Sequence, residues 1–161
     1  MIRPVTPHDA AAIARIYNYY IENSTATFDT ERVSDEVMRE RVASIAGEYP
    51  YLVDVEETGR LTAFCYAHRW KEKSAYRLTL ETTLYCDPQC TGRGLGRALM
   101  ERLIEECRLR GYHALIACIT QGNEASDALH LKLGFTQVSQ FSEVGCKFGK
   151  QLAVKDFELI L

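Results

Sequence analysis

A glycine-rich stretch offers the clearest chemistry in this sequence. Residues 87–100 read DPQCTGRGLGRALM, with glycine at 92, 94 and 96 and no acidic residue after Asp87. A strand-like run precedes the stretch and an apolar helical pattern follows it. The first turn of a helix carries N–H groups without intrahelical acceptors, the helix dipole adds positive charge, and glycines let a ligand approach closely. The stretch therefore predicts a phosphate or pyrophosphate site.

The charges and the spacing of this stretch narrow the class of ligand. Arg93 and Arg97 add two positive charges. The Gly-Lys-Ser/Thr ending of a nucleoside-triphosphate loop is missing, which disfavours that class. The glycine spacing also differs from that of a dinucleotide-binding fold, and no βαβ unit with a following acid is evident. From the glycines alone, a turn that merely begins a helix stays the alternative interpretation.

One carboxylate, Glu81, lies in the middle of the strand-like run RLTLETTLYC at residues 77–86. Strand alternation places Glu81 on the more polar face, which meets either solvent or a pocket. Burial would raise the pKa of Glu81 towards the range that suits a general base. Cys86 and Cys90 have no neighbouring base in the sequence, so neither is well placed as a nucleophile.

Hydrophobic periodicity predicts a mixed, mostly antiparallel sheet with helices on both faces, which is an α+β fold. Thr6 and Pro7 are predicted to begin the first helix, and Ser34 begins a second that runs to Ala46. A third helix follows the glycines and ends near Gly111, and a fourth covers residues 123–133. The predicted strands are residues 2–5, 51–56, 61–68, 76–86, 113–120, 137–141 and 152–160.

Length and composition indicate a single domain, residues 1–161, with a sizeable core. A net charge of −3 argues against nucleic acid as the main partner, and no apolar run is long enough to span a bilayer. The six cysteines include no CxxC pair, so a zinc site is not expected. We therefore predict a reduced, cytoplasmic protein without a metal and without a nucleic-acid or membrane partner.

The glycine stretch resembles the pyrophosphate loop of the GNAT superfamily of N-acetyltransferases, which usually reads Gln/Arg-x-x-Gly-x-Gly/Ala and binds acetyl-CoA. Thr91 stands where Gln or Arg is usual, so one side-chain contact is lost while the backbone amides are unaffected. The resemblance covers essentially the whole chain and is closest to the phosphinothricin and methionine sulfoximine acetyltransferases. The matches, in chain order, are Tyr17-Asn18, ENSTATF at 22–28, Trp70-Lys71, Tyr76, Thr79, Glu81, Asn123, His130-x-x-Leu-Gly-Phe135 and Lys147-x-Gly149.

The resemblance implies that acetyl-CoA is the acetyl donor. Its pantetheine arm would lie in a gap between strands 76–86 and 113–120, which are parallel neighbours that splay apart. Glu81 would be the general base, directly or through a water molecule. His130 replaces the Tyr of many GNAT enzymes and would be a general acid for the thiolate, with a hydrogen bond to the cofactor or packing as alternatives. The implied cofactor residues are Leu84, Tyr85, Cys86, Gly92, Arg93, Gly94, Leu95, Gly96, Arg97, Asn123 and His130.

On the acceptor side, the resemblance implies a small substrate of the amino-acid type and a homodimer. The carboxylate of such a substrate needs a cationic side chain to bind it. Each candidate lysine or arginine can equally be an ordinary surface residue. Arg77 is expected on the same strand face as Glu81. Gln151 and Ala153 depart from the usual family residues, in a segment that in relatives helps to build the acceptor site across a dimer. The candidate acceptor residues are Phe28, Trp70, Lys71, Tyr76, Arg77, Thr79 and Lys147.

We predict an acetyl-CoA-dependent N-acetyltransferase that acetylates the amino group of a small amino acid or analogue by direct transfer. One alternative is acetylation of another amine, such as a polyamine or a protein N-terminus. The other is a non-catalytic domain that senses acyl-CoA. Cations among the candidate acceptor residues argue against a polyamine, and Glu81 argues against a sensor.

Overall fold

The computed structural model describes all 161 residues, Met1 to Leu161. Its seven strands and four helices agree with the predicted α+β class. Single 3-10 turns occur at Pro7–Asp9, Ser74–Tyr76 and Pro88–Cys90. The strands are β1 (Ile2–Pro4), β2 (Tyr51–Val55), β3 (Leu61–Arg69), β4 (Thr79–Cys86), β5 (Ala114–Thr120), β6 (Thr136–Lys147) and β7 (Lys150–Ile160), and the helices are α1 (Ala10–Asn23), α2 (Asp35–Glu48), α3 (Leu95–Leu109) and α4 (Glu124–Lys132).

The strands form one sheet in the order β1-β2-β3-β4-β5-β7-β6. Only β4 and β5 are parallel neighbours, and their pairing runs from Thr79↔Ala114 to Glu81↔Ile116. Both strands continue beyond these pairs without pairing to each other. The mixed, mostly antiparallel sheet and the splay of the two parallel strands are confirmed.

Apolar side chains are buried on both faces of the sheet. On one face, α3 packs Leu99, Leu103 and Cys107 against the central strands, and these positions follow the helical spacing of the sequence. On the other face, Ile13 of α1 and Val42 of α2 join a second core. The predicted layering of helices on both faces is confirmed.

Local signals in the sequence begin and end the helices. The Ser34 hydroxyl accepts a hydrogen bond from the Val37 N–H at the start of α2. The Asn123 side chain accepts a hydrogen bond from the Ser126 N–H at the start of α4. Gly111 follows α3 with φ of +81°, a conformation that glycine adopts without strain. These ends agree with the predicted ones within two residues, whereas α1 begins after the 3-10 turn at Pro7–Asp9 rather than at Pro7.

Two predicted strands differ from the observed ones by more than two residues at one end. β4 begins at Thr79, because the chain before it forms a 3-10 turn that Arg77 ends with φ of −58° and ψ of −22°. The expectation that Arg77 lies on the strand face of Glu81 is therefore wrong. β6 continues to Lys147 rather than ending at Phe141, since it pairs with β7 across two register shifts that local alternation does not reveal.

Candidate active site

A cleft of about 670 Å³ opens where β4 and β5 separate. The glycine loop, both strand ends, α4 and the loop after α1 contribute to its walls. The structure thus brings most of the predicted cofactor residues together with the candidate base. The predicted residues that line the cleft are Phe28, Glu81, Leu84, Tyr85, Cys86, Gly92, Gly94, Leu95, Gly96, Arg97, Asn123 and His130.

The glycine loop presents a run of free backbone donors. The N–H groups from Gly92 to Arg97 donate no hydrogen bond within the chain. Gly92 and Gly94 have φ of +75° and +79°, and a Cβ at either position would project into open space. Free donors beside open space at a helix N-terminus fit a pyrophosphate.

Gly96 has a different role from the other two glycines. A Cβ there would lie 3.1 Å from Leu84 Cδ2, so Gly96 lets α3 pack closely against β4. Arg97 lines the cleft and pairs with Glu101 on the same helix. Arg93 does not line the cleft, because its guanidinium pairs with Glu56 at 2.9 Å.

Asp87 fixes the start of the loop, a role that no local pattern in the sequence predicts. Its carboxylate is 1% exposed and pairs with Arg15 at 3.0 Å and Arg60 at 2.9 Å. Burial opposes the charged form, yet hydrogen bonds from Arg60, the Gln89 N–H and Arg15 hold the pKa of Asp87 below its usual value. The loop is thus anchored to α1 and to the turn between β2 and β3.

The free edge of β4 adds further backbone donors to the cleft. The Asp87 N–H donates to the Thr62 carbonyl at 2.7 Å. This bond and the register of the two strands show which residues of β4 are hydrogen-bonded to β3. Because bonded residues alternate in an antiparallel ladder, the backbone groups of Leu84 and Cys86 point away from β3. The Tyr20 hydroxyl donates to the Cys86 carbonyl at 2.7 Å. The N–H groups of Leu84 and Cys86 therefore face the gap.

Glu81 is the only carboxylate that lines the cleft. Its side chain is 28% exposed, and Oε1 lies 4.0 Å from Nε2 of His68. Burial raises the pKa of Glu81 above the ordinary carboxyl value, although the neighbouring His68 imidazole and Cys118 thiol both oppose this shift. Of the two environments that alternation allowed, the structure shows the pocket.

His130 is 5% exposed and is fixed by the helix that carries it. Its Nδ1 lies 2.8 Å from the Ser126 carbonyl, which can only accept, so Nδ1 carries the proton. The neutral ring then has a lone pair on Nε2. Burial lowers the pKa of His130, which keeps the ring neutral at neutral pH. This state favours accepting a hydrogen bond over donating a proton.

Only one of the candidate acceptor residues lines the cleft. Phe28 lines the cleft and packs on β6, where its ring fills the space that a Cβ at Gly145 would take. Trp70 and Tyr76 stack edge to face, with the Lys71 ammonium 4.1 Å from the centre of the Trp70 ring. That cluster does not line the cleft, and neither do Arg77 and Thr79.

Lys147 is 3% exposed and also lies outside the cleft lining. Its ammonium donates to the carbonyls of Tyr20, Ser24 and Thr27 at 3.3, 2.6 and 2.8 Å. These contacts use all three donors of the ammonium. Lys147 therefore holds the loop after α1 in place.

Comparison with known proteins places the chain in a family. The model of the acetyltransferase (GNAT) family matches residues 13–135. The chain belongs to the GNAT family. It is an N-acetyltransferase that uses acetyl-CoA.

The relatives of this GNAT enzyme include acetyltransferases of small amino-acid analogues. It is 40% identical to a phosphinothricin N-acetyltransferase of Alcaligenes faecalis, over 92% of this chain and 76% of that protein. It is 37% identical to an L-methionine sulfoximine/L-methionine sulfone acetyltransferase of Salmonella typhimurium, over 99% of this chain and 94% of that protein.

Solved structures of the family have the same fold. A Salmonella typhimurium acetyltransferase with its cofactor acetyl-CoA gives a TM-score of 0.96 at 36% identity, over 100% of this chain and 93% of that one. A phosphinothricin acetyltransferase of Sinorhizobium meliloti in complex with acetyl-CoA gives a TM-score of 0.97 at 31% identity. The match covers 100% of this chain and 88% of that one.

Several residues that line this GNAT cleft are not among the predicted site residues. Tyr17 and Tyr20 line the cleft from α1. His68, Cys118 and Thr120 line it from β3 and β5. Helix packing and strand pairing bring these residues to the cleft from distant parts of the chain, so no local pattern could identify them. None of the helices has the length and apolar character that crossing a membrane requires.

Proposed function

We propose that this N-acetyltransferase acetylates the amino group of a small amino acid or analogue, of the phosphinothricin or methionine sulfoximine type. The relatives named above support this acceptor class. The observation that carries the proposal is Glu81, a single carboxylate with a raised pKa that lines the cleft where β4 and β5 separate. An ammonium has no lone pair, so an acceptor amine must lose a proton before it attacks.

The cofactor side of the cleft would hold acetyl-CoA through backbone donors. The free N–H groups of residues 92–97 would bind the pyrophosphate, and those of Leu84 and Cys86 would face the pantetheine arm and the thioester. Asn123 and Nε2 of His130 would contact the cofactor from α4. Acetyl-CoA supplies an activated thioester carbonyl.

Glu81 would take the proton of the acceptor amine, directly or through a water molecule. Neither Cys86 nor Cys90 has a base as a hydrogen-bond partner. Burial raises the pKa of the Cys86 thiol to about 11, so it stays protonated at neutral pH. These features favour direct transfer to the amine over an acyl-enzyme.

We also propose that residues 1–161 act as one domain in a cytoplasmic homodimer, with no nucleic-acid or membrane partner. β6 is an edge strand of the sheet, and its exposed apolar side chains support a second copy as the partner. Each of these side chains is more than half exposed: Val138, Phe141, Val144 and, just after the strand, Phe148. Light scattering of the purified protein measures the mass that decides between monomer and dimer.

The test of the function is thiol release from acetyl-CoA by wild type and Glu81→Gln. The acceptors are L-phosphinothricin, methionine sulfoximine, methionine sulfone, the common amino acids and spermidine. We expect turnover with the first three, and a loss of roughly a hundredfold or more in the variant with unchanged acetyl-CoA affinity. Glu105→Gln, at a half-exposed position of α3 outside the cleft lining, is the matched control.

The outcomes separate the alternatives. Turnover only with another amine would keep the enzyme and reject the proposed acceptor class. Tight acetyl-CoA binding without turnover of any amine would favour the sensing domain. Unchanged turnover of Glu81→Gln would remove Glu81 from the mechanism.

A further inference from the structure

His68 lies directly opposite Glu81 in the sheet. The two residues are register partners on β3 and β4, so their side chains project from the same face. Both side chains line the cleft, and His68 is one-third exposed. A group that reaches both Glu81 and solvent is placed to carry a proton between them.

The hydrogen bonding of His68 determines which nitrogen faces Glu81. Nδ1 lies 2.9 Å from the Arg69 carbonyl, which can only accept, so Nδ1 carries the proton in the neutral ring. Nε2 then has a lone pair and lies 4.0 Å from Oε1 of Glu81. Two acceptors form no hydrogen bond, which agrees with a separation longer than a hydrogen bond. Once Glu81 is protonated, its O–H can donate to Nε2.

We propose that His68 relays to solvent the proton that Glu81 removes from the acceptor amine. This inference rests on the proposed role of Glu81 as the base. The ammonium N–H bond breaks as the Glu81 O–H bond forms, and the same proton then moves to Nε2. The imidazolium releases it to water or buffer, which restores both groups for the next turnover. His68 acts through Glu81 and is therefore a relay rather than a catalytic residue.

The hydroxyl and thiol groups nearest the pair cannot take this role. Burial raises the pKa of the Tyr66 hydroxyl on β3 and of the Cys118 thiol on β5, so both stay protonated at neutral pH. Asp156 on β7 accepts a hydrogen bond from the Ser139 hydroxyl at 2.7 Å. Further charged groups that act on Tyr66 are Asp29 and Arg41. His68 places beside Glu81 an imidazole, which can both accept and release a proton.

The test is chemical rescue of His68→Ala by imidazole. In dilute non-imidazole buffer, we expect kcat/KM to fall about tenfold, with unchanged acetyl-CoA affinity. Added imidazole should restore the rate, because it can enter the exposed space that the ring vacates and take the proton from Glu81. His68→Gln, which keeps a polar side chain but cannot accept a proton, should show the same fall in kcat/KM and no rescue by imidazole. Wild type and the exposed His8→Ala control should not respond to imidazole.

Two results would overturn the relay. One is wild-type kcat/KM in His68→Ala at every buffer concentration. The other is full activity of His68→Gln, which would make His68 a packing residue. The base role is tested separately by Glu81→Gln. If Glu81→Gln is inactive and His68→Ala keeps full activity, only the relay is rejected. If Glu81→Gln stays active, the base role is rejected, and the relay with it.

Discussion

Glu81 combines partial burial with access to the cleft, and these two properties determine its chemistry. A fully exposed carboxylate would be too weak a base for an ammonium, because its pKa would be several units too low. A fully buried one could not reach a substrate. The position on β4, at the last pair with β5, supplies both burial and access.

The raised pKa of Glu81 leads to a prediction about pH. The carboxyl must be ionised to accept a proton, so kcat/KM should rise with pH through its pKa. Because burial raises that pKa, the acidic limb should lie above about pH 4.3, where exposed Glu titrates. The measurement is kcat/KM against pH at saturating acetyl-CoA.

Acceptors that differ in amine pKa provide the control for this profile. A limb that moves with the amine belongs to the substrate, and a limb that stays in place belongs to the enzyme. An enzyme limb at the ordinary carboxyl value would contradict the burial argument.

At the scale of elements, the loop between β4 and α3 is built to hold anions. The helix supplies free N–H groups, and positive φ values at Gly92 and Gly94 direct the chain so that these groups face open space. Asp87 anchors the loop from behind through two arginines. A loop that is fixed before binding loses little conformational entropy when the ligand arrives.

Gly94→Asp should weaken acetyl-CoA binding about tenfold or more, because it places a carboxylate where the phosphates would bind. Gly111→Asp is a matched control, since φ is +81° at Gly111 and +79° at Gly94, and both positions face open space. Both variants carry the same backbone strain. Calorimetric titration with acetyl-CoA compares the affinities of the two variants. Equal affinities would mean that the phosphates bind elsewhere.

At the scale of the whole molecule, the end of β6 holds the N-terminal part of the chain in place. Lys147 joins the last β-hairpin to the loop after α1, across 120 residues of sequence to Thr27. That loop also carries Phe28 at the cleft. The shape of the acceptor side therefore depends on contacts between the two ends of the chain.

Lys147→Met should destabilise the protein by about 2–4 kcal/mol, because the carbonyls of Ser24 and Thr27 lose their buried partner. Lys150→Met, at an exposed position three residues on, should change the free energy of unfolding by less than about 0.5 kcal/mol. Urea denaturation of both variants gives the comparison. Equal stabilities would show that the ammonium contacts contribute nothing net.

The sequence by itself determined the features that depend on neighbours along the chain. The anion-binding loop, the helix ends at Ser34, Gly111 and Asn123, and the alternation around Glu81 each arise within a few residues, so local patterns predict them. The fold class followed from the order of those elements, and the family resemblance added the splay of the parallel strands.

The tertiary structure alone decided which distant residues meet. His68 faces Glu81 because of the register of β3 and β4, Lys147 reaches three carbonyls near α1, and the turn before β4 takes Arg77 off the strand. The physical reason is that register and packing are set by the whole sheet and its two cores. No window of sequence contains the partners of a contact between residues that lie far apart in the chain.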